Sequence, residues 1–546
     1  MKKGDKPFFN FQKSKKWYIG RMEKSVKQEL KNMLARYSGG VDFDVLIPPS
    51  GDMGDYSTNI AFKTGGKPID NANDLKKKLE SDPEIKKMFE GITVLDPGFI
   101  NFHLKDELLL GIIGEILSKK EKFGDLKIGD EKINLEFVSA NPTGPPTVGN
   151  ARAASFGDTL GNILKKTGHQ VSKEYYINDV GVQVGKLAAS IQLRMRQLKG
   201  EDVEFGEDLY RGEYVKEIAK EFTERSIPNE KIQDEAVKNM VAKARKTLES
   251  LGVTYDNWFS ESKLHESGEV KAVLSELESK GHVAEEDGAK WLKINGDEKA
   301  VLVKRDGSTT YLMNDIAYTK NKFERGFDKA INIWGTDHHG DVPRLKAGVA
   351  ALGYDEKKLE ILLHQLVMLK QKDQKLKMSK RAGNLVLLED LIRDVGKDAI
   401  RFFFLTKDLN THMEFDVELA KEQSKKNPVF YIQYAFARLN SIFEKAGKDS
   451  EGADLARLDS EEEKILMRSL VKMPDIIESI TNDYQVHHLA NYALSLANQF
   501  HRFYEKHRVI QDDKELQKSR LALAQAVHIV FKECLGLMGI STPQRM

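Results

Sequence analysis

Cysteine is almost missing from this chain, since Cys534 is the only one among 546 residues. A single thiol cannot build a disulfide framework or a CxxC metal knuckle. This scarcity is typical of a reducing compartment. We therefore expect a cytoplasmic protein.

Long hydrophobic runs are also missing. Nowhere do 18 apolar residues follow one another, so no segment has the composition of a membrane-spanning helix. The first residues, "MKKGDKPFFNFQKSKKW", are basic but lack the apolar centre of a signal peptide. We expect no membrane role.

An excess of one charge is missing from the chain as a whole, because 85 Lys and Arg balance 84 Asp and Glu. This balance argues against a wholly basic nucleic-acid binder. Residues 1–36 are the exception, with eleven basic against three acidic side chains. This stretch is either a solvated face or a contact for a phosphate backbone. The length predicts three or four domains at about 150 residues each.

Proline and glycine, by contrast, are concentrated in one loop, "SANPTGPPTVGN" (139–150). It follows a predicted strand at 133–138, precedes a predicted helix, and the next predicted strand is 172–177. Such a strand, loop and helix present backbone N–H groups and a positive helix end to a phosphate. The loop is therefore a candidate nucleotide site, although an ordinary turn stays the alternative. It matches neither GxGxxG nor GxxxxGK[ST].

A second loop is rich in lysine. "VMLKQKDQKLKMSKRAGN" (367–384) begins as a strand and continues with five lysines and one arginine, followed by a helical pattern. A lysine cluster on a mobile loop can neutralise the charge that develops on phosphates in a transition state. The alternative is a solvated basic loop.

Together these motifs resemble the class I aminoacyl-tRNA synthetases, and among them the arginyl branch. "EFVSANPTGPPTVGNARAASFGDTLGNIL" (136–164) resembles the first class signature, and "KMSKRAGN" (377–384) resembles the second. Other matches run along the chain in the same order as in that branch. They are "GDMGDYSTNIAF" (51–62), "DPGFINFHL" (96–104), "YYINDVGVQ" (175–183), "NPVFYIQYAFARL" (427–439) and the terminal "TPQRM".

The resemblance implies a multidomain α/β chain. An α+β N-terminal domain, 1–125, binds the elbow of the tRNA. A Rossmann-like, doubly wound catalytic domain covers 126–384, with a charged, helix-like insertion around 190–290. A connecting segment, 385–415, leads to an all-α bundle, 416–546, that binds the anticodon.

The bundle is also indicated by the residues themselves. Asn427 and Pro428 form a helix start. Apolar residues then recur with steps of three and four along one face, at Val429, Ile432, Phe436, Leu439 and Phe443. Three residues lie off this stripe and are candidates for tRNA binding by stacking on anticodon bases, with helix packing as the alternative: Tyr431, Tyr434 and Arg438.

The implied activity is the ligation of arginine to tRNA. Arginine reacts with ATP to give arginyl-adenylate and pyrophosphate, and the arginyl group passes to the 3′ end of arginine tRNA. The resemblance further implies Mg²⁺ on the phosphates, a monomer, and an activation step that requires tRNA. Two alternatives stay open: a class I enzyme for glutamate, glutamine or cysteine, and a paralogue that binds tRNA without charging it.

The resemblance also implies roles for individual residues. The catalytic residues are Thr147, Asn150, Lys377 and Lys380. ATP is bound by Pro142, Thr143, Gly144, Val148, Gly149, Met378 and Ser379. Arginine is bound by Glu136, Ser139, Asn141, Tyr311, Asp315 and His339.

Two of these predictions need a comment. His338 and His339 are adjacent, project in different directions and have no third ligand at diagnostic spacing, so we predict no protein metal site. Thr147 and Asn150 stand where the family usually has histidines. Both can hydrogen-bond a phosphate oxygen, but neither can become a cation. We interpret the pair as a working substitute.

Overall fold

A computed structural model describes residues 24–48, 53–294, 298–371, 374–376 and 386–546. Its first part is the α+β domain that the sequence predicts. Four strands form an antiparallel sheet in the order β1-β2-β4-β3, covered by helices. The elements are α1 Val26–Ala35, β1 Val45–Leu46, β2 Tyr56–Thr58, α2 Ile60–Lys63, α3 Pro68–Leu79, α4 Pro83–Met88, β3 Phe89–Leu95 and β4 Phe99–Leu104.

The central part is built on a parallel sheet of five strands in the order β12-β11-β5-β6-β7. Its elements up to the last edge strand are α5 Asp106–Lys119, β5 Lys132–Phe137, α6 Val148–Lys166, β6 Gln170–Ile177, α7 Val182–Leu198, α8 Glu213–Glu224, α9 Ile232–Ser250 and β7 Asn257–Ser260. The strand order changes direction beside β5, and in doubly wound sheets ligands bind at that point.

The second half of this part continues with α10 Glu261–Glu266, α11 Glu269–Ser279, β8 Val283–Glu286, β9 Ala289–Lys293, β10 Lys299–Val303, α12 Tyr311–Glu324, β11 Lys329–Gly335, α13 Asp341–Ala351 and β12 Leu359–His364. Helices cover both faces of the sheet. Ile331 and Ile333 of β11 join the main core, which includes α6, whereas Ala330 joins a second core with α12 and α13. The alternation of neighbouring side chains along the strand explains this division.

The predicted strands agree with the structure to within two residues. The strand predicted at 133–138 ends at Phe137, because Val138 and Ser139 have positive φ angles of 72° and 38°. The pattern "AINIW" (330–334) predicts a strand that stops at Gly335, whereas β11 runs from Lys329 and includes Gly335. Gly335 still pairs with His364 of β12.

The region 190–290 differs from the helix-like insertion that we expected. Helices α8 and α9 lie there, but so does β7, which pairs with β6 as the edge strand of the catalytic sheet. Strands β8, β9 and β10 then form a separate antiparallel sheet. Strand β7 has four residues, all half-buried, and such a short pattern has no clear period in the sequence.

The chain then crosses to a helical bundle. The remaining elements are β13 Val367–Gln371, β14 Gln374–Leu376, α14 Leu388–Val395, α15 Lys397–Leu405, β15 Met413–Asp416, α16 Val417–Lys421, α17 Pro428–Ala446, α18 Glu461–Asp483, α19 His487–Lys506 and α20 Lys514–Leu537. The predicted apolar stripe of α17 is buried throughout. The all-α bundle is thereby confirmed. None of the helices among the described residues has the length and apolar composition to cross a membrane.

Candidate active site

A cavity of about 730 Å³ opens at the carboxyl ends of β5, β6 and β11. The parallel arrangement of the strands brings their ends to this edge. Its walls also include the start of α10, the small sheet β8–β10 and the first turn of α12. Five carboxylates line it, Glu136, Glu261, Asp315, Asp337 and Asp341, and the first three come from β5, α10 and α12.

Glu136 ends strand β5 and is already paired. Its Oε2 is 2.6 Å from Nζ of Lys322, a lysine with a fully buried side chain that also donates to Asn332. Its Oε1 accepts a hydrogen bond of 2.9 Å from Ser139 Oγ. The charge of Glu136 is therefore compensated before any ligand arrives.

Ser139 is held by the sharp turn that follows β5. Its Oγ accepts from the backbone N–H of Tyr176 at 3.1 Å. The Tyr175 hydroxyl donates to the Ala140 carbonyl at 2.9 Å. Positive φ angles at non-glycine residues are uncommon and are often found where a site has to be shaped. The turn thus fixes the first residues of the signature loop against β6.

Asp315 faces the cavity from α12, one turn after Tyr311. The stretch is helical, so their spacing of four places these two residues on one face, and both line the cavity. Burial raises the pKa of Asp315 well above its usual value, and the negative charges of Glu136 and Glu261 raise it further. Tyr311 is 60 % exposed and also lines the cavity. An unpaired carboxyl group in such a place favours a cationic ligand.

Glu261 was missed by the sequence reading. It begins α10 directly after β7, is 2 % exposed, and accepts a hydrogen bond of 2.5 Å from Asn314 Nδ2. Burial raises its pKa to about 7. The only signal in the sequence was an acidic residue after a four-residue strand. That strand was itself not recognised.

Buried polar atoms of the cavity wall that lack a hydrogen-bond partner include Oδ1 of Asn314 and Nε1 of Trp291. Buried polar groups in proteins are nearly always satisfied, so unsatisfied atoms on a cavity wall indicate a polar ligand.

Asn141 and His338 complete the wall on the side of the loop and of β11. The amide of Asn141 donates to Gln183 at 3.0 Å. His338, in the turn after β11, lies 3.4 Å from Asp341 through Nδ1. His339, which we predicted to bind arginine, is exposed and is not among the lining residues. Adjacent residues in a turn project differently, and the structure points His338 inwards.

The first signature loop ends in a helix cap. Thr147 is the N-cap of α6, and its backbone N–H donates to Asn150 Oδ1 at 2.8 Å. The Thr147 hydroxyl donates to the same oxygen at 3.2 Å. A Cβ added at Gly149 would meet only Thr147 Oγ1, at 3.7 Å, so the backbone there is open to a ligand. Val148 is fully buried, so it can offer only backbone atoms.

Helix α8 holds the middle of this loop. The Tyr214 hydroxyl donates to the Thr143 carbonyl at 2.7 Å, and Thr143 is 5 % exposed. A Cβ on Gly144 would lie 3.3 Å from the Tyr214 oxygen. Pro142 precedes this contact and is buried. The region 190–290 thus supports the predicted ATP loop.

The second signature, with Lys377, Met378, Ser379 and Lys380, lies outside the described residues. The described residue that follows it, Val386, accepts a hydrogen bond of 3.3 Å from Val148 N, and Leu388 N donates to the Pro146 carbonyl at 3.0 Å. The described chain just after the second signature is therefore attached to the first loop.

A separate groove of about 430 Å³ lies in the bundle between α17, α19 and the last residues of the chain. Its walls include Tyr434, Arg438, Tyr504 and Met546. The Arg438 guanidinium lies 5.0 Å from the ring centre of Tyr434 and 4.8 Å from that of Tyr504. Tyr431 is not on this wall, since its ring packs 4.4 Å from that of His501. This contact is of the kind that the helix-packing alternative describes, and tRNA binding by Tyr431 stays a prediction.

No group of three or more His, Cys, Asp or Glu side chains suited to a metal ion occurs in the described ranges. His338 and its neighbours Asp337 and Asp341 are all largely exposed.

The doubly wound parallel sheet, its proline- and glycine-rich loop before α6 and the helical bundle define a class I aminoacyl-tRNA synthetase. Residues 112–416 match the family model of the class I (R) tRNA synthetase catalytic domain. Residues 20–104 match the arginyl-tRNA synthetase N-terminal domain, and 432–546 the DALR anticodon-binding domain. The chain belongs to the arginyl-tRNA synthetase family. It is an ATP-using enzyme of that class.

Relatives share this assignment over nearly their whole length. The arginine–tRNA ligase of Thermotoga maritima is 40 % identical over 546 residues, covering 96 % of this chain and 99 % of the relative. That of Carboxydothermus hydrogenoformans is 42 % identical, with 92 % and 94 % covered. A solved structure described as a putative arginyl-tRNA synthetase from Campylobacter jejuni has a TM-score of 0.76 at 34 % identity, covering 81 % of this chain and all of the other. The Thermus thermophilus arginyl-tRNA synthetase, at 22 % identity and a TM-score of 0.78, shares the fold over 95 % of this chain and all of its own.

Proposed function

We propose that this chain activates arginine with ATP and transfers it to the 3′ end of arginine tRNA. The observation that carries the substrate choice is the set of carboxylates in the cavity, of which Glu261 and Asp315 have raised pKa values. Such groups gain most from a bound cation, because a nearby positive charge restores their ionised form.

The guanidinium group of arginine is held by Glu261 and Asp315, with Tyr311 at the mouth of the cavity. A guanidinium carries five N–H donors in a planar fork, which matches carboxylate oxygens on two sides. Glutamate and glutamine lack this cation, and cysteine is too short to reach both carboxylates. The unsatisfied Oδ1 of Asn314 is a further acceptor for the same fork.

The α-amino end lies towards Glu136, Ser139 and Asn141, at the end of β5. The Lys322–Glu136 pair leaves one partly used carboxylate oxygen facing the cavity. The α-amino end of arginine therefore contacts groups that are neutral or whose charge is already compensated. Its carboxylate points towards the ATP loop at Thr147–Asn150.

ATP lies against the loop from Pro142 to Gly149, with its phosphates near the start of α6. The positive end of the helix dipole at the start of α6 favours the negative charge. The arginine carboxylate oxygen attacks the α-phosphorus, the bond to the β-phosphate oxygen breaks, and pyrophosphate leaves. No protein nucleophile is needed, so positioning and charge stabilisation supply the rate. Thr147 holds Asn150, whose Nδ2 donates to phosphate oxygens, and Lys377 and Lys380 of the second signature neutralise phosphate charge.

Mg²⁺ accompanies the nucleotide in this proposal. Phosphate oxygens and waters suffice as its ligands. The cavity carboxylates are assigned to arginine. The ion would supply positive charge that neutralises part of the charge of the phosphates.

The tRNA contacts the bundle groove with its anticodon, where Tyr434 and Arg438 supply stacking faces. Activation requires the bound tRNA, and the protein acts as a cytoplasmic monomer.

The test is ATP–pyrophosphate exchange with the purified chain, followed by arginylation of tRNA. We expect exchange near background with arginine alone and a clear rise when arginine tRNA is added. Glutamate, glutamine and cysteine should give no exchange with or without their tRNAs. Strong exchange without tRNA would contradict the tRNA requirement. Binding of tRNA without any arginylation would indicate a paralogue without catalytic activity.

Lys380→Ala tests the second signature in the same assay. Losing a charge-assisted donor to the transition state typically lowers the rate by roughly 10²–10³-fold. The affinity for tRNA should stay within about two-fold. An equal loss of rate and affinity would make the loop a general RNA contact.

A further inference from the structure

Arg152 lies on α6, one turn after the cap formed by Thr147 and Asn150, and its side chain is fully buried. It is not among the residues that line the cavity. No substrate group can therefore touch it. Its surroundings nevertheless bring together segments that are more than 200 residues apart in the chain.

The guanidinium of Arg152 donates to three backbone carbonyls. Nη1 donates to Gln365 O at 3.0 Å, and Nη2 donates to Asp408 O at 2.7 Å and Thr411 O at 2.8 Å. Gln365 lies two residues before the start of β13, and Thr411 lies two residues before the start of β15. These two strands pair in parallel, from Val367 with Met413 onwards. Arg152 thus fastens the base of this strand pair to α6.

Strand β13 leads, through β14, to the second signature at 377–384. The described chain after that signature is attached by the backbone bonds between 146–148 and 386–388 described above. The described segments before and after the second signature are therefore both bonded to one short piece of chain around the start of α6. Arg152 provides the side-chain half of this connection.

If stability were the only role of Arg152, its burial would cost folding free energy that an apolar side chain would not. The guanidinium is buried without a carboxylate in hydrogen-bond contact, and its Nε–H has no partner. Removing a charge from water costs several kcal/mol unless every donor is satisfied, and apolar side chains of similar volume often stabilise a core as well or better. What an apolar residue cannot do is hold three carbonyls at fixed directions from one helix.

We propose that Arg152 is a positioning residue that holds the strand leading to the second signature against α6, the helix that follows the first signature loop. It acts through the backbone of 365–371 and 408–411, and it touches neither ATP nor arginine. The inference rests on the proposed function, because it assigns the two loops to the same activation step.

The first test compares Arg152→Lys with Arg401→Lys. Arg401 is an equally buried arginine on α15 that binds Asp158 and the Met538 carbonyl, away from both loops. Lysine keeps the charge but loses the planar fork. We expect R152K to lower kcat of tRNA-stimulated exchange by roughly 10–10²-fold, as for a small misplacement of reacting groups, with the arginine KM within about two-fold.

R401K should destabilise the fold but leave kcat per folded molecule within about two-fold. Urea unfolding of both variants gives the folded fraction. If R152K lowers kcat per folded molecule no more than R401K does, Arg152 is a structural residue only and the proposal is wrong.

Hydrogen–deuterium exchange tests the connection without any activity. In Arg152→Met, amides of 365–371 and 386–395 should exchange at least about ten-fold faster than in the wild type, whereas those of Phe99–Leu104 in β4 stay unchanged. Uniform or absent acceleration would overturn the connection. If the wild type itself shows no arginine-dependent exchange of pyrophosphate, the proposed function fails, while this measurement still decides the role of Arg152.

Discussion

The Asn150 side-chain oxygen accepts two hydrogen bonds from Thr147, one from its backbone N–H at 2.8 Å and one from its hydroxyl at 3.2 Å. The two residues that replace the usual histidines of the first signature therefore act as a unit. Their contact caps α6 and leaves Nδ2 of Asn150 as the donor that is not used within the pair.

This geometry predicts unequal effects of two substitutions. Asn150→Ala removes both the cap and the phosphate donor, so we expect activation to slow by roughly 10–10²-fold, equivalent to about 1.5–3 kcal/mol for a hydrogen bond to a charged group. Thr147→Ala keeps the backbone bond and should cost less. Exchange kinetics at saturating arginine and tRNA measure both, and the arginine KM should stay within about two-fold.

Asn150→Asp is the matched control, because it keeps the cap acceptor and replaces the donor with a negative charge. It should fold like the wild type but activate arginine even more slowly than N150A. Full activity in the double alanine variant would show that the pair only shapes the loop. Since neither residue titrates near pH 6.5, the wild type should show no rate step there from these positions.

The carboxylates of the cavity predict a pH-dependent affinity for arginine. The pKa of Glu261 is raised to about 7 and that of Asp315 is raised well above its usual value, so both carry protons at low pH. Arginine should therefore bind more tightly as the pH rises from 6 to 8. Glu261→Gln should raise the arginine KM by roughly 10–10²-fold and flatten this dependence.

The control for this prediction is Glu276→Gln. Glu276 pairs with Lys320 of α12 but does not line the cavity, so its replacement should leave the arginine KM unchanged. An arginine affinity that does not depend on pH between 6 and 8 would contradict the assignment of Glu261.

The same raised pKa predicts the direction of a stability change. A carboxyl group whose folded pKa is above its unfolded value contributes stability that is fully present below the unfolded value. This contribution is lost as the pH rises through about 7. In the absence of ligand, wild-type protein should lose more stability between pH 5 and pH 8 than Glu261→Gln. Urea unfolding at the two pH values measures the difference, and equal losses would show that Glu261 does not carry it.

Substitution of Arg438 or Tyr434 should weaken tRNA binding without slowing the reaction itself. Replacing either with alanine removes a stacking face of the bundle groove, and base–aromatic stacking is worth about 1–3 kcal/mol. Affinity for tRNA should fall by roughly 10–10²-fold, whereas kcat at saturating tRNA stays within about two-fold. Tyr431→Phe, in the helix core beside the groove, is the control with unchanged tRNA affinity. If all three substitutions lowered the affinity for tRNA equally, the cause would be disturbed helix packing and not the loss of a stacking face.

Tyr56 and Asp475 join the N-terminal domain to the bundle. The Tyr56 hydroxyl donates to Asp475 Oδ2 at 2.6 Å, and both residues are fully buried. Tyr56→Phe should cost about 1–3 kcal/mol of unfolding free energy at pH 8, because a buried carboxylate loses a donor. Burial raises the pKa of Asp475 to about 6, so at pH 5 the group is neutral and the cost should be smaller.

Tyr492→Phe is the comparison for this contact. The Tyr492 hydroxyl, on α19, donates to the neutral backbone carbonyl of Ser469 at 3.0 Å. Ser469 lies on α18, the helix that also carries Asp475. Its replacement should cost less than Tyr56→Phe at pH 8 and should not depend on pH between 5 and 8. Urea unfolding of both variants decides the point.

The features that the sequence alone determined are local ones. The loop before α6 could be predicted because proline, glycine and the change from a two-residue to a 3.6-residue period all lie within 30 residues. The buried stripe of α17 follows from its steps of three and four. Tyr311 and Asp315 share a face because helical spacing requires it. The three-part architecture came from motifs that resemble one family in an unbroken order.

What only the tertiary structure decided is which distant residues meet. Glu261 lines the same cavity as Asp315 because β7 pairs with β6 at the edge of the sheet. The four half-buried residues of β7 are too few to show a period in the sequence that would reveal this strand. His338 rather than His339 faces the cavity because a single turn sets the direction of each ring. Arg152 binds three carbonyls of segments more than 200 residues away, and backbone carbonyls leave no trace in a sequence. Strand order and burial determine these contacts, and neither can be read from neighbours along the chain.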